Sequence, residues 1–496
     1  MTVRELLMAA IPGVPHVALP DLRCAGVTHD SRAVVPGMVF VALRGLTSDG
    51  AAFVPDAIAA GAAAIVAQTP PPVAAAVPWL VVADARAALA SLATAYFGAP
   101  SQEMRVVGIT GTNGKTTTSY LVRSIFEASG VPCGLMGTVA YQIGDRVVEA
   151  TRTTPEAPEV QRLMRQMVSE GCGACAMEVS SHALALRRVD GVHFAAGVFT
   201  NLTRDHLDFH GDMEQYFAAK RRLFEMLPDG APAVVNLDDP RGQALVEASS
   251  RPVSYAINRP ADVTAGPVSS SLSGLQLDVR TPWGVVRVES KLVGRPNVYN
   301  ILAAVAVATA LDVPTDAVEH GLRHLNGVPG RFQVVSGPAD DVTVIVDYAH
   351  TDDALRNLLE TARPMALRRL ITVFGAGGDR DRTKRPLMGM VAARLSDIVV
   401  LTSDNPRSED PARIIDEVRR GAEAEGRASN TELLTVIDRE SAILEAVQQA
   451  GPGDVVLVAG KGHERYQEIG GERLAFDDVA VARKALEARR VKSRVC

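Results

Sequence analysis

The run Gly108-Ile-Thr-Gly-Thr-Asn-Gly-Lys-Thr-Thr-Thr118 leaves this chain few folds to choose from. It follows a short apolar segment, Met104 to Gly108, that reads as a strand. It opens the segment from Lys115 to Ser129, where Leu121, Val122, Ile125 and Phe126 recur at helical spacing and Gly130 stands just beyond the end. The order is strand, glycine-rich loop, helix. Backbone N–H groups in such a loop point into one small volume, and the positive end of the helix adds to their field, so phosphate is the natural ligand. Lys115 is placed to reach β- and γ-phosphates, and Thr116 has the hydroxyl that a magnesium ion takes. The spacing departs from the strict phosphate-loop pattern: Ile109 stands six residues before the lysine, where that pattern has glycine, and Gly111 stands four before it. A strand-to-helix turn that binds nothing has no need of two glycines, a lysine and two threonines together.

Length then bounds the rest. A chain of 496 residues points to three or so domains, and 47% hydrophobic with 22% charged residues supplies several cores. A net charge of −6 carries no basic surplus for nucleic acid or a membrane surface. The first thirty residues lack a basic start followed by an apolar run, and the longest apolar stretch, Ile301 to Leu311, is too short to span a bilayer. A cytoplasmic location is expected. Cys24, Cys133, Cys172, Cys175 and Cys496 form no disulfide framework. Cys172 and Cys175 make a CxxC without the second pair of a zinc site. They read as small core residues, with a redox role as the alternative.

Residues 1–102 read as one small α/β unit. It holds Val27-Thr-His-Asp-Ser-Arg32, a strand from Met38 to Leu43, an alanine-rich helix over Ala57–Ala60, a strand from Ala63 to Ala67 and a proline loop, Pro70 to Pro72. Asp30-Ser31-Arg32 is either a turn or the holder of a polar ligand. Residues 103–335 form the nucleotide-binding unit. Its strand Ala174–Val179 carries Glu178 near its end, where a magnesium ligand belongs beside a phosphate loop; capping of the next helix is the alternative. The strand Ala195–Phe199 runs into a loop that packs Asp205, His206, Asp208 and His210 close together, as metal-capable groups or as a solvated polar loop. In the next helix Tyr216, Lys220, Leu223 and Leu227 share one stripe. Lys220 there either snorkels to water or, if it cannot, must be paired or lose its proton. Residues 263–288 alternate as a β-meander. Asn297 and Asn300, one turn apart at a helix start, cap that helix or face a base. Gly330-Arg331-Phe332-Gln333 reads as an interdomain linker.

Residues 336–496 alternate strand and helix, as a mostly parallel, doubly wound sheet does. Strands are expected at Thr343–Val346, Leu370–Phe374, Ile398–Thr402 and Val455–Ala459, with a helix over Ala412–Ala424 among those between them. Their carboxyl ends carry Asp347-Tyr-Ala-His350, Gly375-Ala-Gly-Gly-Asp-Arg380, Ser403-Asp-Asn-Pro-Arg407 and Gly460-Lys-Gly-His-Glu464. Four polar strand ends on one face make a ligand site. The Gly375 loop lacks the third glycine of a dinucleotide fingerprint.

Together these stretches resemble the Mur ligases, the ATP-dependent amino-acid-adding enzymes of peptidoglycan synthesis, over essentially the whole chain. The resemblance rests on Gly111-Thr-Asn-Gly-Lys-Thr116, Glu178, Asn201-Leu-Thr-x-Asp-His206, Asn297-x-x-Asn300, Gly330-Arg331 and Asp347-Tyr-Ala-His350. The loose glycine spacing is itself typical of that group. Asp30-Ser31-Arg32, Thr153-Thr154-Pro155, Glu178-Val-Ser-Ser-His182 and above all Asp404-Asn-Pro-Arg407 are similar to the branch that adds meso-2,6-diaminopimelate. The implied architecture is α/β in three domains: a small N-terminal UDP-substrate-binding domain (1–102), a central P-loop ATPase domain with a parallel sheet (103–335) and a C-terminal Rossmann-like, doubly wound, amino-acid-binding domain (336–496).

The implied reaction joins meso-diaminopimelate to the D-glutamate γ-carboxylate of UDP-N-acetylmuramoyl-L-alanyl-D-glutamate through an acyl phosphate, with ATP and Mg2+. No nucleic-acid or membrane partner is expected, and a monomer is. The resemblance assigns Gly111, Thr112, Asn113, Gly114, Lys115, Thr116, Thr117, Asn297, Asn300, Arg331 and Asp347 to ATP. It gives catalytic roles to Lys115, His206 and Lys220. It gives magnesium to Thr116, Glu178, His206 and Lys220 as a carbamate. Ser31, Thr153, Thr154, Ser180 and Arg188 fall to the UDP-substrate; Arg385, Asp404, Asn405, Pro406, Arg407, Gly460 and Glu464 fall to diaminopimelate. A guanidinium forks onto a carboxylate, so Arg407 suits the distal carboxylate that lysine lacks; a surface ion pair is the plain alternative for any one arginine. Two departures stand out: Leu186 replaces a glutamine of some members, and Asp352 replaces a proline and is expected to alter only a helix start. Arg407 argues against a lysine-adding ligase, Asp30-Ser31-Arg32 against a folylpolyglutamate synthetase, and the four polar strand ends against a nucleotide switch without ligation. Closure of the C-terminal unit about Gly330 is expected.

Overall fold

The computed structural model describes residues 1–13, 19–45, 48–71, 74–429 and 431–495. Cys496 and Pro72, both named above, lie outside them. The N-terminal unit is a four-stranded parallel sheet in the order Gly26–Thr28, Met38–Val41, Ala64–Ala67, Trp79–Val81. Its alanine-rich helix spans Val54–Ala59, starting earlier than expected because Pro55 suits the first turn.

The central unit holds a twelve-stranded sheet. The strand Arg105–Thr110 lies between Ala174–Glu178 and Phe194–Phe199 and is parallel to both. In this register Ile109 pairs with Glu178 on one side and Val198 on the other, so all three strands deliver their carboxyl ends to one place. The sheet turns antiparallel at its flanks, and at residues 263–288 this is the meander expected there. Ala140–Ile143 with Arg146–Glu149, and Gly274–Thr281 with Gly284–Ser290, are antiparallel hairpins. Gly144-Asp145 and Pro282-Trp283 join their strands, and a connection so short cannot host the crossover that parallel pairing needs.

Behind the phosphate loop the helix Lys115–Ala128 turns Leu121, Val122, Ile125 and Phe126 inward. It packs on Arg295–Ala310, a helix buried on nearly every side between the sheet and its helical neighbours. That helix has no polar stripe because it has no wet face. Cys172 and Cys175 are buried in the other core of this unit, and burial pushes both thiols up, which fits the core reading and leaves them poor nucleophiles.

The C-terminal sheet has the order Gln333–Val334, Thr343–Asp347, Val455–Ala459, Leu370–Phe374, Ile398–Leu401, Glu432–Thr435. All pairs are parallel except the first. The edge strand Glu432–Thr435, only four residues long, and the hairpin Tyr466–Ile469 with Glu472–Ala475, largely exposed and polar, had no clear sequence signal. Gln333 and Val334 pair with Val346 and Ile345, so the seam between units falls at Gly330–Phe332 rather than after residue 335. Among the described residues no helix is long and apolar enough to cross a membrane.

Candidate active site

The loop owes its shape to close approach. A Cβ at Gly111 would lie 1.9 Å from Thr200 Oγ1, and one at Gly114 would lie 2.4 Å from Asn300 Oδ1. Both glycines also have positive φ, +146° and +87°. Lys115 Nζ folds back to donate to the carbonyls of Gly111 (2.9 Å) and Thr112 (2.7 Å). Lys220 reaches the same Gly111 oxygen at 2.7 Å, with its Nζ 4.4 Å from the Tyr216 ring centre. Its side chain is fully buried, so the snorkelling alternative fails. Burial and the neighbouring Lys115 push the Lys220 amine well below its ordinary value. Burial also lowers Lys115, against the pull of Glu178 and Asp205.

Glu178 is buried at the strand end. Its Oε2 accepts from Thr116 Oγ1 and Thr138 Oγ1, each at 3.0 Å, and its Oε1 accepts from the Thr138 N–H at 2.8 Å. Ser180, not Glu178, caps the following helix. A hydroxyl and a carboxylate side by side next to a phosphate loop are the oxygen donors magnesium prefers, with phosphate oxygens and water completing its shell.

The Asp205–His210 loop behaves differently. His206 stands at φ +54°, with its ring 4.8 Å from that of His182, and His182 lies 5.5 Å from His210. His210 Nε2 meets Ser181 Oγ at 2.9 Å, and Asp208 is exposed. Among the described residues no three His, Cys, Asp or Glu side chains gather as a metal-holding group. Burial, with His182 and the two lysines, keeps His206 neutral against the pull of Asp205. Burial opposes ionisation of Asp205, but Lys384 and the backbone N–H of His206 favour its carboxylate.

The asparagines pack rather than float. Asn297 donates to Val293 O at 2.7 Å, and Asn300 donates to Asn297 Oδ1 at 2.9 Å. Arg331 donates to Thr116 Oγ1 at 3.1 Å and stacks 4.5 Å from the Tyr348 ring. Asp347 accepts from the N–H groups of Phe332 (2.6 Å) and Ala349 (2.7 Å), and burial raises its carboxyl. Thr112 Oγ1 meets Tyr216 Oη at 3.1 Å. Asn113 Nδ2 reaches Thr203 Oγ1 at 3.3 Å and Asp353 Oδ2, on the third unit, at 3.2 Å. Arg204 of the central unit pairs with Asp381 at 3.1 Å and with Thr383. The helix after His350 starts at Asp352 with Thr351 as its cap.

On the other side of Glu178, Thr154 Oγ1 donates to Glu178 O at 2.8 Å and accepts from Ser180 N at 3.1 Å. Thr153 Oγ1 meets Thr138 Oγ1 at 3.0 Å. Arg188 donates to Thr154 O at 3.1 Å and pairs with Glu156 at 2.9 Å. Ser31 lies on the N-terminal unit, where Arg32 forks onto Asp30. Burial pushes the His29 imidazole beside them down, against the pull of Glu156 and Asp30.

The four polar strand ends lie on adjacent strands of the third sheet, as expected. Asn405 Nδ2 donates to Glu464 Oε2 at 2.8 Å, and fully buried Lys461 bridges Asn405 Oδ1 (2.9 Å) and Glu464 Oε2 (3.0 Å). A Cβ at Gly460 would lie 2.5 Å from Asp404 Oδ2, and one at Gly378 would lie 1.9 Å from the Pro406 carbonyl oxygen. Arg407, at φ +51° and part-exposed, donates to Gly378 O at 2.7 Å. Arg385 touches this group only through the Gly377 carbonyl. It is fully buried, donating to Glu409 (2.8 Å), Glu417 (2.9 Å) and Gly377 O (3.1 Å). It lies on the inner face of the helix Lys384–Leu395, where an arginine must be neutralised by partners of its own. Arg380, on the same loop, is exposed instead.

Sequence reasoning missed Thr138, Arg204, Asp353, Asp381 and Lys461. Lys461 alone had a signal, inside Gly460-Lys-Gly-His-Glu464; the others carry meaning only through contacts distant in sequence.

Three family models cover most of the chain: Mur ligase family, catalytic domain, at residues 23–97; Mur ligase middle domain, at 109–308; and Mur ligase, glutamate ligase domain, at 330–462. A UDP-N-acetylmuramoyl-L-alanyl-D-glutamate–2,6-diaminopimelate ligase of Gloeobacter violaceus is 47% identical over 491 residues, 99% of each chain. The ligase of the same name from Solibacter usitatus is 45% identical, covering 98% of each chain. A solved structure of such a ligase superposes with a TM-score of 0.70 at 34% identity, covering 99% of both chains.

Proposed function

The chain belongs to the Mur ligase family, and on that premise we propose that it joins meso-2,6-diaminopimelate to the D-glutamate γ-carboxylate of UDP-N-acetylmuramoyl-L-alanyl-D-glutamate at the expense of ATP. The observation that carries this reading is the meeting of two strand-end clusters. Lys115, Thr116 and Glu178 end the central sheet, and Asn405, Arg407 and Glu464 end the third. Contacts from Arg331 and Asp353 tie the third unit to the phosphate loop itself.

A carboxylate and an amine do not condense in neutral water, so the carboxylate must first be activated. ATP enters along the loop, and Lys115 exchanges its two backbone carbonyls for phosphate oxygens. The γ-carboxylate attacks the γ-phosphorus, ADP leaves, and an acyl phosphate forms. Lys115 and Arg331 spread the charge that grows on the equatorial oxygens. Thr116 and Glu178 would hold magnesium, which supplies Lewis-acid neutralisation of the same charge. Lys220 is a buried amine that burial and the neighbouring Lys115 push toward the neutral form, the form that adds carbon dioxide; as a carbamate it would offer oxygens where the free amine has none. Thr153, Thr154, Ser180 and Arg188 line the approach to Glu178 and suit the UDP-linked peptide, with Ser31 on the facing unit. The amine of diaminopimelate, positioned by the Asn405–Glu464 cluster with its distal carboxylate on Arg407, then displaces phosphate. All of these groups come from one chain, which is why we read it as acting as a monomer. Its proposed nucleotide-linked substrate supports a cytoplasmic location.

The test is phosphate release with ATP, Mg2+ and the UDP-linked dipeptide, comparing meso-diaminopimelate with L-lysine. Release that requires diaminopimelate supports the reading. Release with lysine alone overturns the specificity, and release that needs neither amino acid overturns ligation.

A further inference from the structure

We propose that His463 is the catalytic proton acceptor of the amide-forming step: its Nδ1 takes the proton that the attacking amino group must lose before its nitrogen can reach the acyl carbon. The proposal rests on the ligase reading above, in which no residue yet has this role.

An amino acid in neutral water carries its amine as an ammonium, with no lone pair to offer. Amide formation strips that nitrogen of two protons. The first must leave before attack. The second leaves with phosphate: the nitrogen lone pair closes the C–N bond, the C–O bond to phosphate breaks, and phosphate takes that electron pair and the second proton. An acceptor for the first proton must stand between the amino-acid cluster and the phosphate loop. It must arrive neutral, with a lone pair that no other group already occupies.

His463 meets these conditions. It sits between Lys461 and Glu464, both bonded to Asn405. Its loop is pressed onto the seam between the units. A Cβ at Gly330 would lie 2.2 Å from His463 N, and one at Gly462 would lie 2.7 Å from Gly330 O and 2.8 Å from Tyr348 N. The imidazole stands 5.0 Å from the Tyr348 ring, over which lies the Arg331 guanidinium that reaches Thr116. The Thr138 backbone, beside the imidazole, favours its protonated form, and Thr138 in turn bonds both oxygens of Glu178. His463 Nδ1 is buried and has no hydrogen-bond partner among the described residues. A buried nitrogen left unpaired calls for a ligand or a chemical role. The other imidazoles near the loop are engaged: His350 Nδ1 meets Tyr348 O at 2.9 Å, His206 Nε2 lies 3.4 Å from Asp205, and His210 Nε2 meets Ser181 Oγ at 2.9 Å. Burial, then Arg331, His350 and Lys461, push the His463 imidazole down to about 3, so it enters the cycle neutral. With its one proton on Nε2, Nδ1 keeps a lone pair. Phosphate groups drawn to Arg331 offset that charge, and the ring becomes the stronger base as the amine arrives.

The experiment gives the full chain ATP, Mg2+ and the UDP-linked dipeptide, and compares two nucleophiles, meso-diaminopimelate and hydroxylamine. Hydroxylamine is neutral in the assay and attacks an acyl phosphate without first giving up a proton, leaving a hydroxamate. His463→Gln should lower kcat with diaminopimelate by about a hundredfold or more and keep hydroxamate formation within about twofold of the wild type. The loss with diaminopimelate should shrink as pH rises, because solvent then supplies the free amine. Equal losses with both nucleophiles would mean that His463 only shapes the seam and would overturn the proposal. An unchanged rate with diaminopimelate, or a loss that stays constant with pH, would overturn it too. The pH series decides alone where hydroxylamine does not intercept the wild-type intermediate. Absence of phosphate release from the wild type with diaminopimelate would instead sink the ligase reading beneath it.

Discussion

Lys115 and Lys220 donate to one and the same oxygen, the carbonyl of Gly111, at 2.9 and 2.7 Å. Two buried amines on a single acceptor cannot both carry a proton cheaply. Lys115 has Glu178 and Asp205 to favour its charge. Lys220 has only Asp205 against both burial and Lys115, so it is the one driven toward the neutral form.

Lys220→Arg should therefore fold and fail. A guanidinium keeps its charge and cannot form a carbamate, so kcat should fall by about a hundredfold or more. In the wild type, stripping carbon dioxide from the buffer should lower the rate and bicarbonate should restore it, with 13C-bicarbonate giving a carbamate resonance that the variant lacks. Full activity in carbon-dioxide-free buffer would refute the modification. The pH sign follows from the same amine. Its folded pKa lies below the unfolded value, so between the two the unfolded chain binds more protons, and this contribution to stability rises with pH up to the unfolded value near about 10.4.

Glu178→Gln keeps the shape and removes the charge between Thr116 and Thr138. The expected result is a kcat lower by about a hundredfold and a steeper requirement for magnesium, read from rates across a magnesium titration. An unchanged magnesium dependence would assign Glu178 to loop architecture alone.

How much of this was open to sequence reading depends on distance along the chain. The phosphate loop, Glu178 at its strand end and the four polar ends of the third sheet are local patterns, and the structure puts them where periodicity and turn chemistry pointed. Lys220 on an apolar stripe was visible too, but its acceptor on Gly111 was not, because the two lie more than a hundred residues apart. Arg385 shows what a local pattern leaves open. An arginine beside a glycine-rich loop looks like a ligand group, yet the helix Lys384–Leu395 turns it inward onto Glu409 and Glu417, a fact of tertiary packing that no local pattern encodes. The hairpin Tyr466–Ile469 with Glu472–Ala475 was missed because its exposed, charged strands lack the apolar alternation that marks a half-buried sheet.

Arg385→Met should consequently act on stability. It strands Glu417 and leaves mostly buried Glu409 with Arg382 alone, and removing one partner of a buried ion pair costs about 3 kcal/mol or more. Calorimetry should show a lower Tm for the variant. A raised KM for the amino acid with an unchanged Tm would return Arg385 to the binding site.

Arg407→Met should act on selectivity with little effect on folding, since the Arg407 side chain is part-exposed. The ratio of kcat/KM for diaminopimelate over lysine should fall by about a hundredfold or more, mostly through diaminopimelate. Steady-state rates with each amino acid measure this directly. An unchanged ratio would mean that another group reads the distal carboxylate.

The seam between the central and third units has a consequence for tempo. Arg204 grips Asp381, Asn113 reaches Asp353 and Arg331 holds Thr116, all at the mouth of the phosphate loop. On the proposed reading, spent nucleotide leaves by parting these bonds, and fresh nucleotide is gripped once they re-form. The clock of the cycle then lies in opening and reclosing the clasp rather than in making the amide. Added viscogen should slow turnover even when every substrate is saturating, because what it drags on is a domain moving through solvent.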